Sequence, residues 1–405
     1  MRRSRRISRG YKKHSPDSRK GRRQDNVPKT LQTAAITGIG MYVPERVMTN
    51  DELATIVETS DEWIVSRTGI RQRRIAAATE ATSDLAVNAG RDALAVAGRT
   101  AEDLDLILVA TCTGDYGSFP ATAAVVQERL GAGRAAAFDV TAVCAGFAYA
   151  LDVAAQYVET GRYRTVLVIG AEIMSGVVDW SDRNTCVLFG DGAGAVVVER
   201  AEREDQGAIL GSILGTDGSG VQHLNIPAGG TRQPLTADLL DGHQNCIYQN
   251  GREVYKFAVK IIGEAAIQAL ETVGMTPADV NLFVPHQANI RIISAAAERM
   301  GLPMEKVMVN LDRYGNTSAA SVPMALCEAW RAGRVKPGNI IVTVGFGAGL
   351  TWGANVIRWG SLSAGSPPAP NSGGARGEAG EGRSPGERIA LASFPASPEL
   401  GAGGL

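Results

Sequence analysis

Aromatic residues make up only 5% of this 405-residue chain, and no apolar run approaches the roughly 18–20 residues needed to span a bilayer. A membrane-embedded class is therefore not expected, and no signal-peptide core is visible either. Cysteine is scarce. Cys112, Cys144, Cys186, Cys246 and Cys327 are odd in number and widely scattered, so neither a disulfide framework nor a zinc pattern fits. The four histidines, His14, His223, His243 and His286, make no metal-ligand spacing with one another or with cysteine. A cytoplasmic, metal-free protein is the expectation.

Net charge is also nearly absent, at −1, but the balance conceals a segregation. Residues 1–30 carry twelve Lys or Arg against Asp17 and Asp25. Such an arm can bind nucleic acid or an anionic surface, and its Arg- and Ser-rich, acid-poor make-up also suits a transit peptide. Without apolar periodicity it reads more simply as a disordered extension, here bounded at 1–32, and no nucleic-acid or membrane partner is expected. Residues 361–405 hold 10 Gly, 6 Pro and 7 Ser, a composition that buries too little apolar surface to offset chain entropy. Both tails are expected to lie outside the fold.

What the chain does have is Ala, Gly and Val, arranged twice over. Ala93, Leu94, Gly98, Thr100, Asp103 and Leu106 recur as Ala269, Leu270, Gly274, Thr276, Asp279 and Leu282 at a constant offset of 176. Each set reads as helix, turn and strand. Cys144 precedes Gly161-Arg162 by 17 residues, and Asn316 precedes Gly333-Arg334 by the same 17. Each half then shows a Gly-Ala-Gly hairpin signal before a closing strand. Residues 33–204 and 205–360 are thus expected to be two copies of one βα unit, with sheets and helices in layers. On this spacing Cys144 and Asn316 occupy equivalent helix starts.

The stretch from 135 to 160 is the centre of the pattern. A short apolar β run turns helical at Cys144, after which Phe147, Leu151, Ala154 and Val158 recur at helical spacing. The opposite face is also mostly apolar, as expected of a buried helix. Cys144 would sit at its N-terminus, where unpaired N–H groups and the dipole favour a thiolate. Alone it could equally be a small buried hydrophobe. His286 follows a short apolar strand, and Asn316 lies in a Gly-rich helix start, where it could simply be an N-cap. Together, Cys, His and Asn suit acyl transfer: a nucleophile and two groups that can hydrogen-bond a carbonyl gaining charge. The glycines of 345–349 permit backbone that aims N–H groups inward. Trp63 and Arg67, spaced i,i+4, share a helix face; the indole can stack on a purine and the guanidinium suits phosphate, but on the residues alone a core Trp beside a solvated Arg is the simpler reading.

The segments TSDEWIVSRTGIRQRRIA, DVTAVCAGFAYAL, FGDGAGA, NGREVYKFAV, VPHQANIRII, YGNTSAAS and GFGAGLTWG, in this order, resemble the β-ketoacyl-acyl-carrier-protein synthase III family. The match runs from about residue 35 to 359. It implies a thiolase-like α/β fold, two pseudo-twofold-related halves in a layered αβαβα arrangement, and a homodimer. It implies catalytic Cys144, His286 and Asn316, with an oxyanion hole from the backbone of Cys144 and Ala348. Coenzyme A is expected at Trp63, Arg67, Arg183 and Asn289, its adenine between Trp63 and Arg183. Gln287, Ala288, Asn289, Ile290 and Arg291 resemble the carrier-protein docking strip, with Arg299 and Lys306 as further basic residues beside a departing Glu298. Phe119 resembles a residue closing the partner subunit's acyl pocket. Acyl-CoA and malonyl-acyl-carrier protein are the implied substrates, the primer an expected short acyl group such as acetyl, with no cofactor. The chain-elongating relatives resemble Cys-His-His and the thiolases Cys-His-Cys, so Asn316 discriminates. An acyl-CoA condensing or transferring enzyme of secondary metabolism is the runner-up. A non-catalytic partner subunit fits poorly, since it has no need of a nucleophile.

Overall fold

The computed structural model describes residues 31–362; the basic arm and the Gly/Pro/Ser-rich tail read from the sequence lie outside the described residues, apart from their inner ends. Among the described residues, nine strands build the two main sheets, beside two two-stranded ribbons. The first holds β1 (Ala34–Tyr42), β2 (Leu106–Ala110), β3 (Ala136–Val140), β4 (Thr165–Ile173) and β5 (Asp191–Arg200) in the order β1-β5-β4-β2-β3. The second holds β6 (Gly207–Thr216), β7 (Leu282–Pro285), β8 (Ile340–Gly347) and β9 (Thr351–Trp359) in the order β6-β9-β8-β7. The helices used below are α1 (Asp61–Thr68), α2 (Thr82–Ala97), α3 (Thr122–Leu130), α4 (Gly146–Glu159), α5 (Gly251–Thr272), α6 (Ile290–Arg299) and α7 (Ser321–Arg331).

The two sheets repeat one wiring. In each, the inner pair is parallel (β2 with β4, β7 with β8) and the closing strand runs antiparallel to both its neighbours. Only the first sheet carries a fifth strand beyond the parallel pair. In the second, a single bridge between Phe283 and Val307 stands at that edge.

Period-2 side-chain alternation sorts the strands into layers. In β2, Leu106, Leu108 and Ala110 join a central apolar cluster while Ile107 and Val109 face α2 and α3. In β7, Leu282 and Val284 join the same central cluster while Phe283 faces α5 and α6. Strands buried on both faces read as unbroken apolar runs, as LILVA does. The central cluster also contains α4 and α7, which lie between the sheets. The result is five layers, αβαβα.

One turn expected from the sequence is not a turn. Gly192-Ala193-Gly194 runs inside β5, whereas Gly347-Ala348-Gly349 does form the hairpin between β8 and β9. The glycine pattern in β5 serves close approach. Gly194 pairs across the strands with Gly170, and a Cβ there would lie 2.6 Å from the Met324 nitrogen; one on Gly170 would lie 2.3 Å from the Ala319 oxygen. Bare backbone at both positions lets the start of α7 press onto the sheet. The connection between β4 and β5 therefore spans 174–190, a long excursion, where its counterpart in the second half is a tight hairpin.

The helix starts also shift from the expected register. Val143 and Ser318 share a left-handed backbone (φ 47° and 48°), each opens a 3₁₀ turn, and the helices begin at Gly146 and Ser321. Cys144 is therefore equivalent to Ala319, not to Asn316. The shared Gly-Arg markers follow the helix ends, and α4 has 14 residues where α7 has 11, so counting back from them misplaces the start.

Candidate active site

Cys144 stands in the turn before α4, 7% exposed, with β8 packed against its backbone. A Cβ on Gly347 would lie 2.7 Å from the Cys144 nitrogen, and one on Gly345 2.7 Å from its oxygen. His286 follows β7 directly, its N–H donating to the Val344 carbonyl at 2.7 Å and so extending the parallel pair by one residue. Asn316 is held by its backbone: its N–H donates to Leu188 O (2.8 Å) and its carbonyl accepts from Gly190 N (3.1 Å). These three side chains, from separate ends of the duplicated framework, line one cavity of ≈ 540 Å³ together with Ala348.

Each side chain has its own electrostatic setting. Burial pushes the Cys144 thiol up to about 12; the Ser318 hydroxyl and its own N–H oppose this, and the charge of Glu172 adds to it. Burial alone pushes His286 down to about 3, so the imidazole is neutral at working pH. Its Nδ1 lies 2.6 Å from Ser321 Oγ, and Phe346 meets the ring edge-on at 5.2 Å. Asn316 Oδ1 accepts the Ser318 N–H at 2.9 Å, and its Nδ2 amide, with no acceptor among the described residues, is left to donate. Burial raises the Glu172 carboxyl, while donors from Thr113, Cys112 and Ser318 oppose the shift. The Ser318 hydroxyl donates to Glu172 Oε1 at 3.0 Å.

The mouth of the cavity is formed by α1, the 174–190 excursion and the start of α6. Arg67 lies 4.8 Å and Arg183 5.0 Å from the Trp63 ring centroid, so the indole is flanked by both guanidinium groups. Arg183 also donates to the Glu58 carbonyl at 3.1 Å. The expected adenine slot between Trp63 and Arg183 is closed here. A purine stacked between two planes needs roughly 7 Å, two contacts of about 3.5 Å. Asn289 is committed at both ends, Oδ1 capping α6 at the Arg291 N–H (2.9 Å) and Nδ2 donating to the Arg67 carbonyl (3.1 Å). It ties α6 to α1 and lines the cavity.

The docking strip expected from 287 to 291 needs correction at its first residue. Gln287 is 1% exposed, and its amide holds Pro285 O, Met308 O and the Asn310 N–H. It braces the loop and offers nothing to a docked protein. Ala288, Asn289 and Ile290 are half-buried and Arg291 is exposed, its Nη2 donating to Ser66 O at 2.8 Å. Arg299 is paired with Glu264 at 2.5 Å, and Lys306 donates to the Val280 carbonyl at 2.7 Å, so neither is a free surface cation. Phe119 is 84% exposed and stays out of its own chain's cavity. Ser318, Ser321 and Glu172 were not singled out from the sequence. The two serines sit in the SAAS run after Asn316, and Glu172 is the one charged residue of β4.

The 3-oxoacyl-[acyl-carrier-protein] synthase III family model matches residues 138–218, and the model of its C-terminal part matches residues 270–359. The beta-ketoacyl-[acyl-carrier-protein] synthase III of Caldanaerobacter subterraneus subsp. tengcongensis is 55% identical over 80% of this chain and 98% of its own length. The crystal structure of 3-oxoacyl-[acyl-carrier-protein] synthase III from Aquifex aeolicus VF5 superposes with a TM-score of 0.74 at 46% identity, covering 80% of this chain and 100% of that one. A priming β-ketosynthase from the R1128 polyketide biosynthetic pathway reaches 0.76 at 37% identity, over 82% of this chain and 98% of its own. By these likenesses, across nearly the whole length of the relatives, the chain belongs to the β-ketoacyl-[acyl-carrier-protein] synthase III family.

Proposed function

We propose that this protein condenses a short acyl-CoA with malonyl-acyl-carrier protein, releasing CO2 and coenzyme A and giving a 3-ketoacyl-acyl-carrier protein that initiates fatty-acid synthesis. The observation that carries the reading is convergence: one buried thiol, one neutral imidazole and one carboxamide with a free N–H face the same cavity.

In the first half-reaction the Cys144 thiolate attacks the acyl-CoA thioester. The backbone N–H groups of Cys144 and Ala348 hold the tetrahedral oxyanion. The C–S bond to coenzyme A breaks, CoA thiolate leaves, and the acyl group stays on sulfur. In the second, malonyl-acyl-carrier protein enters and its thioester carbonyl accepts from His286 and Asn316. Carbon dioxide departs, leaving its bonding electron pair as an enolate that these two donors stabilise. The enolate carbon attacks acyl-Cys144, the C–S bond breaks, and Cys144 leaves as thiolate. A neutral imidazole suits this role, because it donates without needing to gain or lose a proton.

Trp63, Arg67, Arg183 and Asn289 at the mouth are the proposed coenzyme A contacts, with Arg183 moving off Trp63 to admit the adenine. Ala288 to Arg291 form the proposed carrier-protein strip. The chain is proposed to work as a homodimer, with exposed Phe119 closing the partner subunit's acyl pocket. The outer edge of β3 offers the strand pairing that such a dimer needs. The likeness to a priming β-ketosynthase of a polyketide pathway supports one alternative, an acyl-CoA condensing enzyme of secondary metabolism with a different primer. Intact-protein mass after mixing with acetyl-, isobutyryl- and longer acyl-CoAs, followed by malonyl-acyl-carrier protein, tests both readings. Acyl-enzyme that chases into a 3-ketoacyl product is expected. A stable acyl-enzyme that never condenses would sink the proposal.

A further inference from the structure

Neutral His286 carries one N–H, and its contribution to the proposed enolate site depends on which nitrogen holds it. Nδ1 and Ser321 Oγ are 2.6 Å apart, a distance at which either atom could be the donor. The surroundings decide. Ser321 is 2% exposed, and its Oγ also accepts the Gln287 N–H at 3.4 Å. If Nδ1–H donated as well, Oγ would receive two hydrogens while its own hydrogen met no acceptor among the described residues. A buried hydroxyl left in that state is unfavourable. In the opposite arrangement every group is used: Gln287 N–H donates to Ser321 Oγ, and Ser321 O–H donates to His286 Nδ1. The proton then sits on Nε2, which has no partner among the described residues, on a side chain that lines the cavity.

We infer that Ser321 is a positioning residue that fixes His286 as the Nε2–H tautomer and holds its ring, so that the imidazole faces the cavity as a donor. The inference rests on the condensing role proposed above and adds a residue to it. It also makes the start of α7 the common organiser of both donors. Ser318 N–H occupies Asn316 Oδ1 and frees its Nδ2; Ser321 O–H occupies His286 Nδ1 and frees its Nε2–H. Without Ser321, Nδ1 has no donor beside it. A ring turned or protonated the other way presents a lone pair to the developing negative charge.

The test pairs a spectrum with two rate measurements on the full chain. With 15N-histidine labelling the protein has four imidazoles, and His286→Gln identifies the one of interest by its missing signals. The wild type is expected to show a bare Nδ1 and a protonated Nε2, unchanged between about pH 5 and 9 because burial keeps this ring neutral. In Ser321→Ala a share of Nδ1–H should appear. Decarboxylation of malonyl-acyl-carrier protein should fall roughly tenfold, less than the 10²–10³ expected for outright loss of a donor. Transfer of an acyl group to Cys144 should be unchanged, and Ser321→Thr, which keeps the hydroxyl, should restore both spectrum and rate. A protonated Nδ1 in the wild type overturns the inference, and needs no variant to fold. So does Ser321→Ala with the wild-type spectrum and rate, or with acylation lost in equal measure. If the wild type fails to decarboxylate malonyl-acyl-carrier protein at all, the condensing role falls, while the spectrum still decides the tautomer.

Discussion

The two halves of the molecule build the same corner and use it differently. In each, a left-handed residue opens a 3₁₀ turn and a central helix follows, at Val143 to Gly146 in one and Ser318 to Ser321 in the other. In each, the neighbouring strand approaches on a glycine: Gly345 against the Cys144 carbonyl, Gly170 against the Ala319 carbonyl. Two residues further along those strands the halves part. The first corner meets Gly347, which adds no side chain and leaves room for the cavity. The second meets Glu172, a fully buried carboxylate that accepts the Ser318 hydroxyl. One corner turns a sulfur towards the cavity; the other holds the hydrogen-bonding groups of Asn316 and His286 in place. On the proposed mechanism the two corners divide the chemistry, nucleophile on one side and charge stabilisation on the other.

That division can be broken most severely by removing the nucleophile. Cys144→Ala is expected to abolish acyl-enzyme formation completely while malonyl-acyl-carrier protein is still decarboxylated. His286→Ala and Asn316→Ala should show the reverse, accepting an acyl group yet losing 10²–10³ in decarboxylation and condensation, about the loss seen when one oxyanion donor is deleted. Intact mass and labelled-CO2 release on each variant separate the two. Should His286→Ala resist acylation even at high pH, His286 is the base for the thiol and the division fails.

Acidity sharpens the same contrast. The Cys144 thiol is pushed up to about 12, so across the neutral range its thiolate fraction rises about tenfold per pH unit, and acylation should accelerate accordingly. His286 is pushed down to about 3, so decarboxylation should be flat over the same range. The sign for stability follows from the same shift. The folded ring resists protonation that the unfolded chain accepts below about 6.5, so His286 favours the fold at neutral pH and this contribution is lost on acidification towards 3. Single-turnover acylation and CO2 release between pH 6 and 9 are the measurement. A decarboxylation limb titrating near neutrality contradicts the buried, neutral ring.

A smaller effect is expected where the corners differ by one side chain. Gly347→Ala puts a Cβ 2.7 Å from the Cys144 nitrogen, where backbone must give way. Overpacking of this kind costs about 1–3 kcal/mol, and acylation should slow because the turn carrying the sulfur is displaced. Thermal unfolding and acylation rates check it; a variant with wild-type values for both shows that β8 does not set the position of Cys144.

Much of this was legible in the sequence, and the parts that were not share a cause. The apolar period of α4 and the end of β7 place Cys144 and His286 beside element ends, Asn316 lies in the turn before α7 opens, and all three line one cavity. Local pattern sufficed there because strand ends and helix starts are local features. The corner register was misread because helix length differs between the halves, and a count from the far end carries that difference into the start. Gly192 and Gly194 look like a turn in one dimension, yet they answer to α7 pressing on the sheet from another part of the chain. Gln287 lies in a polar run that reads as surface, but three backbone groups from 285, 308 and 310 draw its amide inside. Ser321 is invisible for the same reason: its value is a partner 35 residues away. Pattern shows where an element ends; it does not show what packs there.

The mildest test lies at the mouth, where the first half's long excursion has no counterpart in the second. Arg67→Ala and Arg183→Ala should raise the KM for acyl-CoA by about two- to tenfold with little change in kcat, since both contacts are remote from the breaking bond. Exposed charge contacts are worth only about 0–1 kcal/mol each. The two variants should also differ from one another. Arg183 stacks on the indole face that the adenine would need, so its removal loses a ligand contact but also ends the competition, a cation–π contact of about 0.5–1 kcal/mol at an exposed site. Arg67 is the helix neighbour of Trp63, and its removal brings no such relief. Arg67→Ala should therefore raise KM more than Arg183→Ala. Equal effects, or a fall in kcat at unchanged KM, would mean that coenzyme A does not enter past Trp63.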